Sequence, residues 1–221
     1  MQRRTRIKIC GLTRAEDVRE VAAAGADALG FVFYPASPRY VSPSAAAALI
    51  GAMPPFVTAV GLFVNATPEE LLTALTQVPL QLLQFHGDES PEQCRRLAAA
   101  AKLPFMRAYR VQPDTTAADL LECEDAYRKA SPLFRGLLLD TFVEGFGGSG
   151  KVFDWSLIPK ELAPRVVLSG GLSVQNATDA VSRIRPFAVD ISSGVELAKG
   201  IKDIAKVRAF VEAVRLADQA A

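Results

Sequence analysis

The sequence predicts an α/β protein that folds as a single-domain (β/α)8 TIM barrel over residues 1–221. Short runs rich in Val, Ile, Leu and Phe return eight times, and each is followed by turn residues and a helical pattern. No linker or shift of composition divides the chain, whose 221 residues are half apolar and sufficient for one large core. Eight alternating strand–helix units in this length are typical of a compact closed barrel.

The eight predicted strands recur at intervals of 21 to 30 residues. They begin near Arg6, Asp27, Val57, Leu80, Phe105, Arg135, Arg165 and Phe187. In the first strand Ile7 and Ile9 share one face, because side chains alternate along a strand. Lys8 and Cys10 share the opposite face. An open doubly wound sheet is the alternative architecture, but its usual glycine fingerprint does not follow Gly11.

Most predicted helices are preceded by a capping residue, and three carry proline at the first helical position. The expected caps are Thr13, Ser42, Thr67, Ser90, Asp154 and Ser173. At Thr13, Thr67 and Ser90, a glutamate or glutamine three positions later completes a capping box. Eight helices are predicted in all. The sixth lies between the sixth and seventh strands, and the last is expected to begin near Asp203.

Charge and composition exclude several classes of function. The formal net charge of +1 gives no electrostatic reason to expect nucleic acid or an anionic membrane as a partner. Residues 40–68 carry no charge, but Pro54-Pro55 splits them, so a helix ending near Ile50 and a strand from Phe56 explain them better than a membrane span. Three cysteines indicate reduced thiols, and a cytoplasmic location is expected. No apolar stripe indicates an oligomeric state.

The carboxyl ends of barrel strands meet at one face, so the residues that follow the strands can be treated as one surface. Polar residues and glycines gather there: Cys10, Arg39, Asn65, His86, Arg110, Asp140, Gly170, Gly171, Ser192, Ser193 and Gly194. After the sixth strand, residues 142–151 contain four glycines and are long enough to close over a substrate.

Eight motifs occur in order along this surface. They are Lys-Ile-Cys-Gly-Leu-Thr-Arg at 8–14, Gly-Phe-Val-Phe-Tyr-Pro at 30–35, Ser-Pro-Arg-Tyr-Val at 37–41, Gln-Phe-His-Gly at 84–87, Leu-Leu-Asp-Thr at 138–141, Gly-Gly-Ser-Gly-Lys-Val-Phe-Asp-Trp at 147–155, Leu-Ser-Gly-Gly-Leu at 168–172 and Asp-Ile-Ser-Ser-Gly-Val-Glu at 190–196. Together they resemble the phosphoribosylanthranilate isomerase family over nearly the whole chain. Their shared order is more specific than any single motif.

The resemblance implies an aldose–ketose isomerase of tryptophan biosynthesis. Such an enzyme converts N-(5-phosphoribosyl)anthranilate to 1-(2-carboxyphenylamino)-1-deoxyribulose 5-phosphate by an Amadori rearrangement, with no cofactor and no metal. Its implied partner is this small phosphoribosyl substrate. The chemistry needs an acid to protonate the sugar ring oxygen and a base to take the proton of the neighbouring carbon. By the resemblance, Asp140 is the acid and Cys10 is the base. Cys94 and Cys123 lie in predicted helical stretches and are expected to be structural.

The resemblance also implies the substrate-binding residues. Arg39 resembles the clamp for the anthranilate carboxylate, for which a guanidinium fork is suited. Two loops that can hold phosphate on main-chain N–H groups contribute Gly170, Gly171, Ser192, Ser193 and Gly194. His86 is expected to line the pocket without a catalytic role. Asp190 is placed in the same site, and as an inward carboxylate it should pair with inward Lys8.

The sequence also allows two other kinds of function. A related histidine-pathway isomerase has similar chemistry but uses aspartate where Cys10 stands, and indole-glycerol-phosphate synthase needs a catalytic lysine at a strand end, whereas Lys8 is one layer deeper. A non-catalytic phosphosugar-binding barrel is the alternative from another class. The presence of both the thiol and the Asp140 carboxylate argues against such a binding protein.

Overall fold

The computed structural model describes residues 4–141 and 153–220. Eight parallel strands close into a barrel in the order β1 to β8, and β1 pairs with both β2 and β8. The strands are β1 (Arg6–Cys10), β2 (Ala28–Val32), β3 (Thr58–Phe63), β4 (Leu82–Phe85), β5 (Phe105–Val111), β6 (Phe134–Thr141), β7 (Val167–Leu168) and β8 (Ala188–Ile191). Each predicted start lies within two residues of the observed one, so the barrel prediction is confirmed.

Seven α-helices are present among the described residues. They are α1 (Ala15–Ala23), α2 (Pro43–Gly51), α3 (Pro68–Leu75), α4 (Pro91–Ala101), α5 (Ala117–Ala130), α6 (Ala177–Ile184) and α7 (Ile204–Gln219). The expected helix between β6 and β7 is not found in the described part of that segment, which forms the 3-10 turns Trp155–Leu157 and Ala163–Arg165. Pro159 and Pro164 explain this correction, because proline interrupts the backbone hydrogen bonds of a helix.

The capping predictions have a mixed outcome. Caps that accept a hydrogen bond from the helix backbone are confirmed at Ser42, Thr67 and Ser90, and Asp154 caps a 3-10 turn. The prediction for Thr13 is wrong, because its hydroxyl donates to the Gly200 carbonyl instead. The prediction for Ser173 is also wrong, since α6 begins four residues later, after Asn176. In both cases a tertiary or loop contact replaces the local cap.

The uncharged segment 40–68 divides as predicted into a helix and a strand. Helix α2 ends at Gly51 and β3 begins at Thr58, although Phe56, where the strand was expected to begin, is fully exposed with φ +68°. Among the described residues, no helix has the length and apolar character needed to cross a membrane.

Side-chain alternation along the strands divides the core into two layers. The outward positions, such as Ile7, Ile9, Val189 and Ile191, belong to the large cluster between barrel and helices. Inside the barrel, a small cluster contains Val60, Met106, Ala108 and Leu138. Several other inward positions carry polar side chains, so the strands place polar and ionisable groups at the barrel mouth. A short hairpin, β9 (Glu196–Ala198) and β10 (Ile201–Lys202), follows β8.

Candidate active site

One cleft at the carboxyl ends of the strands is lined by all ten predicted site residues. About 770 Å³ of open space lies within it, part of which is continuous with bulk solvent. The ten residues are Cys10, Arg39, His86, Asp140, Gly170, Gly171, Asp190, Ser192, Ser193 and Gly194. They come from six strands or the loops that follow them, so closure of the barrel is what brings them together.

Cys10 ends β1 and points its thiol into the cleft. Its neighbour on β2 is Gly30, where a Cβ atom would lie only 2.6 Å from the Cys10 Sγ. Burial raises the pKa of the Cys10 thiol, Lys8 opposes that shift, Asp190 adds to it, and Lys202 opposes it. The net result is a pKa above the ordinary value, so Cys10 is mainly a thiol in the free protein at neutral pH.

Lys8 and Asp190 form a buried ion pair beneath this thiol. The Lys8 Nζ lies 2.7 Å from the Asp190 Oδ1, and the side chains are only 4% and 7% exposed. The two residues are register partners on the neighbouring strands β1 and β8. The predicted contact between them is therefore confirmed. Burial lowers the pKa of Lys8, but Asp190 and the Cys10 sulfur together bring that pKa above its ordinary value.

Arg39 is held at the cleft by Glu196. The Arg39 Nε donates to Glu196 Oε1 at 2.8 Å, and its Nη2 donates to Oε2 at 2.7 Å. Hydrogen bonding to Glu196 raises the pKa of Arg39, although burial opposes the shift. Arg39 was expected to offer its guanidinium to a substrate carboxylate, but one edge of the guanidinium already binds a protein carboxylate. The second edge, formed by Nη1 and Nη2, remains for a ligand.

Glu196 also binds a second cation. Lys202 Nζ donates to Glu196 Oε1 at 2.8 Å and to the Cys10 carbonyl oxygen at 2.6 Å. Burial lowers the pKa of Lys202, and Glu196 offsets only part of that shift. For Glu196, burial raises the pKa, but Arg39 and Lys202 reverse this and leave it below the ordinary value. The sequence alone did not indicate a role for Glu196 or Lys202; the only signal was the position of Glu196 at the end of the motif at 190–196.

Asp140 is the penultimate residue of β6 and contacts the only histidine of the chain. The Asp140 Oδ2 lies 3.2 Å from His86 Nε2, and its Oδ1 accepts a hydrogen bond of 3.0 Å from the Thr141 amide. His86 Nδ1 lies 2.8 Å from Gln84 Nε2. The sequence placed His86 in the pocket, as observed, but did not indicate its contact with the carboxylate.

The loops after β7 and β8 line the cleft beside Asp140. Gly170 has φ +79°, and a Cβ there would lie 2.9 Å from Asp140 Oδ1 and 2.4 Å from the Thr141 amide nitrogen. A Cβ at Gly194 would lie 2.2 Å from the Leu172 carbonyl oxygen. Glycine is therefore required at both positions by close backbone packing.

Two of the predicted strand-end residues, Asn65 and Arg110, have partners outside the cleft. Asn65 Oδ1 accepts a hydrogen bond of 2.7 Å from the Asp88 amide, and Arg110 pairs with the Asp88 carboxylate. Neither lines the cleft. The expected closing loop at 142–151 lies outside the described residues.

Comparisons with known proteins agree with this geometry. Residues 7–213 match the family model described as N-(5'phosphoribosyl)anthranilate (PRA) isomerase. The chain is 68% identical over 220 residues to the N-(5'-phosphoribosyl)anthranilate isomerase of Herminiimonas arsenicoxydans, which covers 100% of this chain and 97% of that protein.

Solved structures give the same relationship. The phosphoribosyl anthranilate isomerase of Thermotoga maritima is similar with a TM-score of 0.83 and 42% identity, over 96% of this chain and 98% of that one. A phosphoribosyl anthranilate isomerase in complex with reduced 1-(o-carboxyphenylamino)-1-deoxyribulose 5-phosphate is similar with a TM-score of 0.81 and 40% identity, at the same coverage.

Proposed function

This chain belongs to the N-(5'-phosphoribosyl)anthranilate isomerase family, and on that premise we propose that Cys10 is its general base and Asp140 its general acid. The enzyme is an isomerase of tryptophan biosynthesis. One observation carries the assignment of roles. The thiol and the carboxylate line the same cleft from β1 and β6, with β7 and β8 between them on the shorter way round.

The proposed reaction begins with ring opening. The Asp140 carboxyl group donates its proton to the ring oxygen, the bond from that oxygen to C1 breaks, and the anthranilate nitrogen forms an iminium with C1. The Cys10 thiolate then takes the proton from C2, and the electron pair of the C–H bond neutralises the iminium. The resulting enolamine tautomerises to the ketone product.

This scheme needs the less common protonation state of the pair. An ordinary aspartate is ionised and an ordinary thiol is protonated at neutral pH. The productive form has the same number of protons as the resting form, so the two interconvert by moving one proton from sulfur to carboxylate. The raised pKa of Cys10 makes the thiolate rarer but also a stronger base toward a carbon acid.

The contact with His86 can serve the acid form of Asp140. The Gln84 Oε1 is buried and has no hydrogen-bond partner among the described residues. Flipping the Gln84 side-chain amide, so that its oxygen and nitrogen exchange places, would put the oxygen against His86 Nδ1. His86 Nδ1 would then carry the ring proton and donate it to that oxygen. The His86 Nε2 would be left as an acceptor for the proton of the Asp140 carboxyl group.

The two ends of the substrate fit two different sets of cleft residues. Arg39 and Lys202 share a single carboxylate, Glu196, so this cluster carries one uncompensated positive charge. We assign that charge, through the second edge of Arg39, to the anthranilate carboxylate. A related protein binds a ligand with a carboxylate at one end and a phosphate at the other.

We assign the phosphate to the loops that follow β7 and β8. Their cleft residues are Gly170, Gly171, Ser192, Ser193 and Gly194. Main-chain N–H groups and the Ser193 hydroxyl can bind phosphate there, whereas the Ser192 hydroxyl already donates to the Cys10 carbonyl oxygen. His86 and Asp190 complete the lining around the sugar.

The thiol also supports a cytoplasmic location for the reaction. Cys10, Cys94 and Cys123 are all free, and a reducing compartment keeps such thiols unpaired. We propose the small phosphoribosyl substrate as the ligand and expect neither nucleic acid nor a membrane as a partner, in keeping with the net charge of +1.

An anthranilate-fluorescence assay tests this function. Purified protein and freshly formed N-(5-phosphoribosyl)anthranilate should give a time-dependent loss of fluorescence with multiple turnovers. The histidine-pathway aminoaldose substrate, followed by absorbance, is the matched comparison and should be converted far more slowly. Binding of the anthranilate substrate without turnover would instead identify a non-catalytic phosphosugar-binding barrel.

A further inference from the structure

We propose that Lys8 is a positioning residue that makes Cys10 usable as a base, because its buried ammonium group stabilises the Cys10 thiolate while Asp190 holds that ammonium in place. This inference rests on the proposed role of Cys10. Lys8 lies below the cleft rather than in its wall, so it acts on the substrate only through the sulfur.

The strand geometry places the ammonium under the thiol. Lys8 and Cys10 are two residues apart on β1, so both point into the barrel. The Lys8 Nζ donates to the Asp190 Oδ1 at 2.7 Å, and the Lys8 charge lowers the pKa of the Cys10 thiol. An ammonium group has three donors, so it can serve the carboxylate and the sulfur together.

The other charged groups near the thiol have their hydrogen bonds elsewhere. Lys202, from β10, donates to the Cys10 carbonyl oxygen and to Glu196, and Arg39, from the loop after β2, donates to Glu196. Asp190, from β8, is an anion and disfavours the thiolate. Among the described residues, Lys8 is therefore the cation that shares the inward face of β1 with the sulfur, and it lowers the thiol pKa more than Lys202 does.

The ion pair with Asp190 keeps Lys8 charged. An isolated ammonium in this buried position would lose its proton, because burial disfavours the charged form. The carboxylate 2.7 Å away reverses that tendency. Lys8 thus keeps its positive charge in a place where water does not screen it, beneath the atom that must become negative.

The consequence for catalysis is a larger thiolate fraction. Without Lys8, burial and Asp190 would raise the pKa of the Cys10 thiol with only Lys202, whose effect is smaller, to oppose them. Each unit by which the thiol pKa rises lowers the thiolate fraction about tenfold. A Lys8→Met variant should therefore lose about tenfold or more in kcat, with little change in KM.

The direct test is alkylation of Cys10 by iodoacetamide across a range of pH, in protein without substrate. The modified peptide is quantified by mass spectrometry, which separates Cys10 from Cys123. In Lys8→Met the rate at Cys10 should fall about tenfold or more at neutral pH, since only the thiolate reacts. The matched control is Ile7→Ala, a buried change on the outward face of the same strand. It should lower stability but leave the alkylation rate within about twofold of the parent, since it removes no charge near the thiol.

A second variant tests the same effect through Asp190. In Asp190→Asn the buried Lys8 loses the carboxylate that keeps it charged, so alkylation at Cys10 should become slower. If Lys8 did not stabilise the thiolate, removing the Asp190 anion would instead make alkylation faster. An unchanged rate in Lys8→Met, or an unchanged or faster rate in Asp190→Asn, would overturn the proposal, and the second result is decisive even if Lys8→Met does not fold.

These outcomes are independent of the assignment of the base. If Cys10→Ser retained turnover, Cys10 would not be the base, yet the alkylation rates would still report whether Lys8 stabilises its thiolate. If Cys10→Ser is inactive and the alkylation rates do not respond to Lys8, the base is correct and the tuning residue is wrong.

Discussion

The Glu196 carboxylate receives two parallel hydrogen bonds from Arg39, of 2.8 and 2.7 Å. This fork-to-fork contact fixes the plane of the guanidinium before any substrate arrives. Only one edge of Arg39 is then presented to the cleft. The rotamer freedom that a free arginine would lose on binding has already been lost in folding.

Removing the charge of Glu196 should therefore weaken substrate binding. In Glu196→Gln, Arg39 keeps a neutral acceptor but loses the bidentate ion pair, so we expect KM to rise about tenfold with a smaller change in kcat. The control is Glu92→Gln, which breaks a similar two-bond contact with Arg95 on an exposed helix surface. That variant should keep the parent kinetic constants; an equal effect of both changes would remove Glu196 from the site.

Arg39 should recognise the carboxylate of the substrate and nothing else in it. Arg39→Ala should weaken binding of the natural substrate about tenfold to a hundredfold, and slow the bound complex much less. The decisive comparison is an analogue with aniline in place of anthranilate, which lacks the carboxylate. Binding of that analogue should be nearly the same in parent and variant, whereas an equal loss for both ligands would contradict the assignment.

Cys10→Ser and Asp140→Asn should abolish most turnover while substrate still binds. Serine is far too weakly acidic to supply a basic oxyanion, and asparagine has no carboxyl proton to donate. Each loss in kcat should be on the order of 10²–10⁴-fold, the usual contribution of a general acid or base. Cys123→Ser is the matched control, because this cysteine lies in α5 and does not line the cleft. Near-normal kcat in either active-site variant would show that its assigned role is wrong.

Gly30 should be essential for the position of the Cys10 thiol. A Cβ in Gly30→Ala would lie 2.6 Å from Cys10 Sγ and 3.1 Å from its Cα, so the sulfur must move. We expect a loss of ~1–3 kcal/mol in the free energy of unfolding, typical of overpacking, together with a large loss of kcat. Gly51→Ala is the control, since a Cβ there meets no atom within 4 Å. Chemical denaturation and the fluorescence assay measure the two effects, and a fully active Gly30→Ala would refute this view of the thiol.

Glu196 should also contribute to the acid stability of the protein. Its pKa in the folded state is lowered, so its contribution is present above the ordinary value near 4.5 and is lost as pH falls through the folded value. Glu196→Gln cannot titrate, so the free energy of unfolding should depend less on pH below about 4.5 than in the parent. Denaturation at several acidic pH values measures this, and an unchanged acid slope would mean that Glu196 is not paired in solution.

Side-chain alternation explains why much of this site could be predicted. The parity of β1 and β8 placed Lys8, Cys10 and Asp190 on the inward faces, and barrel closure then made Lys8 and Asp190 neighbours. Such inferences need only the strand period and the order of the strands. They do not require knowledge of where any loop goes.

Contacts made through loops were not accessible in the same way. The pairing of Arg39 with Glu196 joins residues 157 positions apart, through the loop after β2 and the hairpin after β8. Thr13 was expected to cap α1, but the same hairpin brings the Gly200 carbonyl to its hydroxyl. Local sequence rules describe neither event, because the competing partner comes from a distant segment.

The close approach of Gly170 to Asp140 has a consequence for the length of the sugar. The proposed phosphate loop and the proposed proton donor touch, since a single added carbon at Gly170 would lie 2.9 Å from Asp140 Oδ1. Backbone, rather than a flexible side chain, then determines the span between the phosphate and the ring oxygen. The furanose ring of a pentose 5-phosphate has two carbons, C4 and C5, between its ring oxygen and its phosphate ester. The cleft should therefore reject a homologue with one more carbon between these two groups, even if its aromatic end were identical.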